Sequence, residues 1–152
     1  MIKVFVGGSQ SITKLPVAVT AKIDNIIDSD FTVLVGDAIG VAACVQKYLA
    51  EKAYANALVF CTDVCRKNAG GWKAMVVPAN AGEKGFDFYV LKDREMARET
   101  DYGFMVWGGR SKGTLNNVLN LLSENKSALV FLSPEESFLT IRNAKDLSAL
   151  LS

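Results

Sequence analysis

The chain has 152 residues, of which 50% are hydrophobic and 22% are charged, so length and composition predict a single domain over residues 1–152 and exclude intrinsic disorder. Its 17 basic and 16 acidic side chains leave a net charge of +1, which argues against a nucleic acid or an anionic membrane as the partner. Histidine is absent, which excludes histidine-based catalytic triads and histidine zinc sites.

Short apolar runs alternate with longer stretches of helical period, which is typical of β-α-β units and a parallel sheet. In chain order the predicted elements are a strand at Ile2–Val6, a helix at Pro16–Asp28, a strand at Thr32–Val35, a helix at Gly40–Lys52, strands at Ala57–Phe60 and Lys73–Val77, a helix at Phe86–Glu99, a strand at Tyr102–Trp107, a helix at Thr114–Asn125, a strand at Ala128–Leu132, an edge strand at Ser137–Ile141 and a final helix at Ala144–Leu151. Several strands lack polar alternation, so we expect both sheet faces to be covered. The pattern predicts a single-domain α/β fold, a doubly wound Rossmann-like three-layer sandwich with a mostly parallel sheet of six or seven strands.

The chain start and the cysteines predict a cytoplasmic protein. The first apolar run is too short for a signal peptide, and no run approaches the roughly 20 residues of a membrane span. The cysteines, Cys44, Cys61 and Cys65, contain no CxxC pair, and no further cysteine or histidine completes a zinc site. We therefore expect three reduced, buried thiols, with no metal site and no cofactor.

Small and polar residues follow the first, second and fifth predicted strands, at the edge where such a sheet binds ligands. In the third of these loops, residues 108–114 lead into a helix, whose unpaired N–H groups attract anions, and Arg110 and Lys112 add positive charge. The loops therefore predict a phosphate cradle, although glycine in any single loop can also serve turn geometry alone. The ligand-binding residues predicted from these loops are Gly7, Gly8, Ser9, Gly36, Asp37, Gly40, Gly108, Gly109, Ser111, Gly113 and Thr114.

Taken in order, residues 6–12, 35–41, 92–96 and 108–114 resemble the motifs of the SLOG superfamily of Rossmann-like proteins. This superfamily contains the LONELY GUY phosphoribohydrolases, the DNA-processing protein DprA and the small YspA-like proteins, and the resemblance is closest to the YspA-like branch. It implies a nucleotide or nucleotide-derived ligand at the strand ends and a homodimer formed through helices. It also adds Lys92, which stands where the family has an arginine, to the ligand-binding residues.

The chain departs from the catalytic part of that pattern. Asn117 stands where the phosphoribohydrolases carry a glutamate, and an amide cannot transfer a proton at any useful pH. Ala42 likewise replaces an acidic residue of the second motif. We therefore predict a nucleotide-binding protein whose 108–114 loop and following helix hold a phosphate. The alternatives are an enzyme acting on the N-glycosidic bond of nucleotides, with Asp37 as the candidate catalytic residue, and an interaction protein with a vestigial cradle.

The remaining candidates leave more than one interpretation open. Trp72 and Trp107 can either stack on a base or be buried. The charges at Arg94, Glu95, Arg98 and Glu99 favour a solvated helix face. Further carboxylates that could replace the missing glutamate are Asp63, which follows the third strand, and Asp93 and Glu95 beside Lys92. The aromatic residues at the start of the same helix suit a lid, a subunit contact or the core; they are Phe86, Phe88 and Tyr89.

Overall fold

The computed structural model describes residues 1–79 and 85–152, with the side chains of residues 85–87 and 89 left out. The side chains of Phe86 and Tyr89, for which the sequence left a lid, a subunit contact or the core open, therefore lie outside the described residues. Phe88 is half-buried. The elements in chain order are β1 (Lys3–Gly8), α1 (Val17–Asp28), β2 (Thr32–Gly36), α2 (Val41–Glu51), β3 (Ala57–Thr62), β4 (Lys73–Val77), α3 (Gly85–Glu99), β5 (Tyr102–Trp107), α4 (Lys112–Ser123), β6 (Ala128–Leu132), β7 (Ser137–Ile141) and α5 (Ala144–Leu151).

The seven strands form one sheet in the order β4-β3-β2-β1-β5-β6-β7, parallel throughout except for β7, which runs antiparallel to β6. Apolar residues of α1 and α2 pack on one face of the sheet, and those of α3 and α4 pack on the other. The predicted Rossmann-like three-layer α/β fold is confirmed. Within the described part of the chain, no helix has both the length and the apolar character needed to cross a membrane.

The chain reverses its direction across the sheet between β1 and β5. From β1 it steps outward through β2, β3 and β4, and it then returns through α3 to place β5 on the other side of β1. The helices that leave β1 and β5 consequently go to opposite faces of the sheet, and the strand ends separate there. A crevice at such a reversal is where open α/β sheets bind ligands.

Hydrogen bonds and a close backbone approach hold the loop after β1 in place. The Ser9 amide donates to the Val106 carbonyl at 2.9 Å, and the Ser9 hydroxyl accepts from the Gly108 amide at 2.9 Å. On the other side, the Ser9 carbonyl accepts from the Val41 amide at 3.1 Å. Gly40, with φ of 80°, lies so close to this loop that a side chain would collide with its backbone. One loop therefore joins β5 to the start of α2.

The connection between β3 and β4, residues 63–72, consists of bends and turns in place of the usual crossover helix. The fully buried side chain of Gln46 fastens it to the middle of the sheet. Its amide nitrogen donates to the carbonyls of Gly36, at 2.8 Å, and Lys67, at 3.1 Å, while its amide oxygen accepts from the Ala69 amide at 2.9 Å. These bonds satisfy polar groups that burial would otherwise leave unpaired.

The expectation of three reduced, buried thiols was wrong for two of them. Cys61 and Cys65 form a disulfide at the end of β3. The chain turns sharply after the strand, where Asp63 has φ of 59°, and this turn brings the two Cα atoms to 5.0 Å. Their spacing of four residues is longer than a CxxC motif, so it gave no signal in the sequence. Cys44 is a free thiol and is half-buried.

Gly8 offers a direct test of the contact between β1 and β5. A Cβ atom there would lie 2.2 Å from the carbonyl oxygen of Val106 and 2.9 Å from a methyl group of Val41. We expect Gly8→Ala to lower the free energy of unfolding by about 1–3 kcal/mol, because the neighbouring strand must shift. Urea denaturation measures the change.

The matched control is Gly113→Ala, since a Cβ atom at Gly113 would approach only the Ser111 hydroxyl, at 3.8 Å. Alanine is a better helix former than glycine, so this variant should retain the wild-type stability or gain up to about 1 kcal/mol. Equal stabilities for the Gly8 and Gly113 variants would contradict the close packing of the two strands.

Candidate functional site

A cleft of about 450 Å³ opens at the carboxyl ends of β1 and β2, between α3 and α4. Residues 5–8 of β1 and Gly36 of β2 line it from the sheet, and residues 10–11 line it from the loop after β1. Residues of α3 and the start of α4 form its walls, including residues 110–114. The cleft therefore lies where the reversal of the sheet separates the helices.

The structure brings most of the predicted ligand-binding residues together at this cleft. Those that line it are Gly7, Gly8, Gly36, Lys92, Ser111, Gly113 and Thr114. Those outside its lining are Ser9, Asp37, Gly40, Gly108 and Gly109. The three loops and α3 do converge, as the sequence predicts. Ligand binding at this convergence stays a prediction.

Four of the residues outside the lining shape the loops around the cleft. Ser9 and Gly108 are hydrogen-bonded to each other, so their polar groups hold β1 to β5. Gly40 packs against the loop after β1. Gly109, with φ of 95°, lies in the left-handed region where glycine is strongly favoured, and it turns the chain toward α4. Sequence patterns do not separate such supporting residues from residues that contact a ligand.

Asp37, the candidate catalytic residue, instead pairs with Arg66 through its carboxylate. Its carboxylate accepts from the Arg66 backbone amide at 2.8 Å and from two guanidinium nitrogens at 3.0 and 3.2 Å. Burial raises the pKa of Asp37, but these hydrogen bonds and the charges of Arg66 and Lys92 outweigh it and hold the pKa below its ordinary value. Asp37 therefore stays ionised and lies outside the cleft, so it has no proton to donate there.

The N-terminus of α4 has unpaired amide groups at the cleft. Ser111 caps the helix, because its hydroxyl oxygen accepts from the Thr114 amide at 3.2 Å and from the Thr114 hydroxyl at 3.0 Å. The amides of Lys112 and Gly113 donate to no residue that the structure describes. Together with the side chain of Arg110, they form a region of positive potential along the wall of the cleft.

Asn117 lies one turn further along α4 and lines the cleft although it is only 6% exposed. Its amide nitrogen lies 3.8 Å from the sulfur of Met105, a weak contact, and its amide oxygen has no partner in the described part of the chain. Leaving such a group unpaired costs about 1–3 kcal/mol. In the sequence Asn117 stands out only as a lost glutamate. In the structure it is a buried amide available to a ligand.

Lys92 and Asp93 form an ion pair on the opposite wall, with the Lys92 nitrogen 3.8 Å from a carboxylate oxygen of Asp93. The Lys92 side chain is 4% exposed and passes over Gly36, where a Cβ atom would lie 3.2 Å from it. The Asp93 side chain is 18% exposed. Burial raises the pKa of Asp93 to about 6; Lys92 opposes this increase, the charge of Asp37 adds to it, and Arg66 lowers it again.

The expected solvated face of α3 is present, and Asp93 lies outside it. Arg94 and Arg98 are exposed, but Asp93 lines the cleft. Its position could have been read from helical spacing, because Asp93 is three residues from Val90 and three from Met96, and both of these are buried. The alternating charges along the helix obscured that stripe.

Both tryptophans are buried, so the stacking interpretation fails for each. The indole N–H of Trp72 donates to the Tyr54 carbonyl at 2.7 Å. Trp72 also lies outside the cleft lining. The indole N–H of Trp107 donates to the Ser111 carbonyl at 3.2 Å. Trp107 therefore supports the turn that presents the start of α4 to the cleft.

Comparisons with protein-family models and with curated protein sequences give no match for this chain. Within the ranges that the structure covers, no cluster of three or more cysteine, aspartate or glutamate side chains is arranged to hold a metal ion. Any function must therefore be argued from the chemistry of the cleft.

Asp93 predicts a pH dependence of stability. Its pKa of about 6 lies above its ordinary value of 3.8, so between those values the folded protein keeps a proton that the unfolded chain releases. Hence the contribution of Asp93 to the free energy of unfolding falls as the pH rises from about 4 to about 6, by roughly 3 kcal/mol. Asp93→Asn cannot ionise, and we expect it to exceed wild type in stability at about pH 7.5 but not at about pH 4.

Urea denaturation of both proteins at the two pH values measures this effect. Asp28→Asn is the control, because Asp28 is exposed at the end of α1 on the opposite face of the sheet. It should give the same difference from wild type at both values. If Asp93→Asn behaves like this control, the carboxylate is not buried as described.

Proposed function

We propose that the protein binds a nucleotide or a nucleotide-derived ligand in this cleft and that it is a member of the SLOG superfamily. One observation carries the proposal: the unpaired amides of Lys112 and Gly113 and the unpartnered oxygen of Asn117 lie along one cleft wall. A helix N-terminus favours an anion, and a buried amide needs a polar partner. A ligand with a phosphate and further polar groups supplies both.

The phosphate binds at the start of α4. Because the Ser111 hydroxyl already occupies the Thr114 amide, the amides of Lys112 and Gly113 are the ones that remain to donate to phosphate oxygens. Arg110 and Lys112 carry positive charges beside them, and the helix dipole adds to the attraction. Gly113 has no side chain to obstruct the approach of the phosphate.

The nucleoside part lies deeper in the cleft. Phe5, Val6 and Met96 provide apolar surface, and Asn117 adds an amide that can both donate and accept hydrogen bonds. A few convergent polar groups within an apolar lining are typical of small-molecule sites, and about 450 Å³ is within their usual size. The homodimer and the cytoplasmic location remain predictions, alongside the membership of the superfamily.

Gly113→Leu tests the position of the phosphate. A Cβ atom at this position meets only the Ser111 hydroxyl, at 3.8 Å, and the rest of the leucine side chain occupies space beside the unpaired amides, so we expect binding to weaken at least about tenfold while the fold is retained. Titration calorimetry measures this with nucleoside monophosphates, dinucleotides, cyclic nucleotides and nucleotide sugars. Ala18→Leu is the control, since it places the same side chain at the exposed second residue of α1.

The two failures of this experiment have different meanings. If wild type shows neither heat nor a thermal shift with any of these ligands, the proposed function is rejected. If a nucleotide binds wild type and Gly113→Leu equally well, nucleotide binding stands and the phosphate position is wrong.

A second candidate function is cleavage of the N-glycosidic bond of a nucleotide. The observation that favours it is the Asp93 carboxyl, which lines the cleft with a pKa raised to about 6 by burial. In such a reaction the bond from the anomeric carbon to the base breaks as the base takes a proton from Asp93, and water adds to that carbon and returns a proton to the Asp93 carboxylate. Asp93 would then do the work of the family glutamate that Asn117 replaces.

Incubation of the protein with nucleoside monophosphates, followed by chromatography, separates this candidate from binding alone. Hydrolysis predicts free base and ribose phosphate from wild type, and at least about a hundredfold less from Asp93→Asn. Asp28→Asn should match wild type, because its side chain lies on the far face of the sheet. Intact nucleotide after prolonged incubation rejects the second candidate and leaves the first.

A further inference from the structure

Asp93 is a half-buried, charged residue on the cleft wall whose role the phosphate site does not explain. We propose that Asp93 determines the specificity of the cleft, its carboxylate accepting hydrogen bonds from the two neighbouring hydroxyl groups of the ligand's sugar. The inference rests on the proposed function and deepens it, because it selects nucleotides that carry a complete ribose. Neither the family resemblance nor the phosphate cradle supplies this residue.

The first support is the contrast between two carboxylates. Asp37 is buried and accepts three hydrogen bonds from Arg66. Asp93 accepts no hydrogen bond from any residue that the structure describes, and its contact with Lys92 is an ion pair at 3.8 Å. A carboxylate removed from bulk water needs donors. Since Asp93 lines the cleft, a bound molecule is positioned to provide them.

The second support is the layout of the cleft floor. The floor is formed by Gly7 of β1 and Gly36 of β2, which lie beyond the last paired residues of these two strands, Phe5 and Leu34. The Asn117 amide lies over Gly7, and the Lys92 side chain lies over Gly36 with Asp93 next to it. The amide of Asn117 and the carboxylate of Asp93 therefore lie on the walls of one cleft, above two neighbouring strands.

The third support is electrostatic. The start of α4 attracts a phosphate, whereas the charges of Asp93 and Lys92 on the opposite wall offset each other, so the phosphate end of a ligand favours the α4 side of the cleft. The two carboxylate oxygens can accept from two O–H donors at once, as adjacent ribose hydroxyls present them. Lys92 favours the ionised form of Asp93, which is the better acceptor. An amino group of the base is the other donor that could meet this carboxylate.

Titration calorimetry of wild type with the four nucleoside 5′-monophosphates and their 2′,3′-dideoxy counterparts tests the inference. We expect each dideoxy compound to bind at least about tenfold more weakly than its parent, because it lacks both donors. Asp93→Asn should bind parent and dideoxy compounds within about threefold of each other. Asp28→Asn, the exposed control, should keep the wild-type preference.

Each outcome supports or overturns the inference. Equal affinity of wild type for parent and dideoxy compounds overturns it and leaves nucleotide binding in place. A preference for ribose that persists undiminished in Asp93→Asn also overturns it. The inference is likewise overturned if Asp93→Asn loses affinity only for nucleotides whose base carries an amino group. No binding of any compound to wild type rejects the proposed function together with the inference. If Asp93→Asn fails to fold, Asp93→Ser takes its place as the variant that must lose the preference for ribose.

Discussion

The backbone contact of the loop after β1 with β5 on one side and α2 on the other is the constraint on which the cleft depends. Gly8 and Gly40 have no side chains at the two closest approaches, and the backbone and hydroxyl of Ser9 bond in both directions. With this loop held down, the ends of β1 and β2 stay open between α3 and α4. The cleft therefore owes its shape to residues that do not line it as much as to those that do.

Two aspartates show how the same chemical group serves structure in one place and is available for function in another. Asp37 is ionised and fully paired, so it holds the β3–β4 connection to the end of β2. The ionised form of Asp93 is disfavoured by burial and is only partly compensated by Lys92. A carboxylate whose ionised form is destabilised by desolvation on a cleft wall is typical of functional sites in folded proteins.

The fold could be predicted almost completely, because buried parallel strands such as β3 and β6 appear in the sequence as apolar runs between helical periods. Convergence of the glycine loops followed from topology, since the carboxyl ends of parallel strands meet at one edge. The Asp37–Arg66 pair joins residues 29 positions apart, and no local pattern encodes such a contact. Asp93 is recognisable in the sequence as a further carboxylate beside Lys92, but its helix also carries a solvated face, and charge alone does not tell which side of the helix an aspartate occupies.

The attachment of the β3–β4 connection through Gln46 has a consequence for how this protein can diverge. One buried amide bonds at once to Gly36, Lys67 and Ala69, so a substitution at position 46 leaves buried polar groups unpaired at three places. Lys67 and Ala69 take part through their backbone alone. The side chains of these two residues are therefore free to vary, whereas the residue that anchors the connection is not.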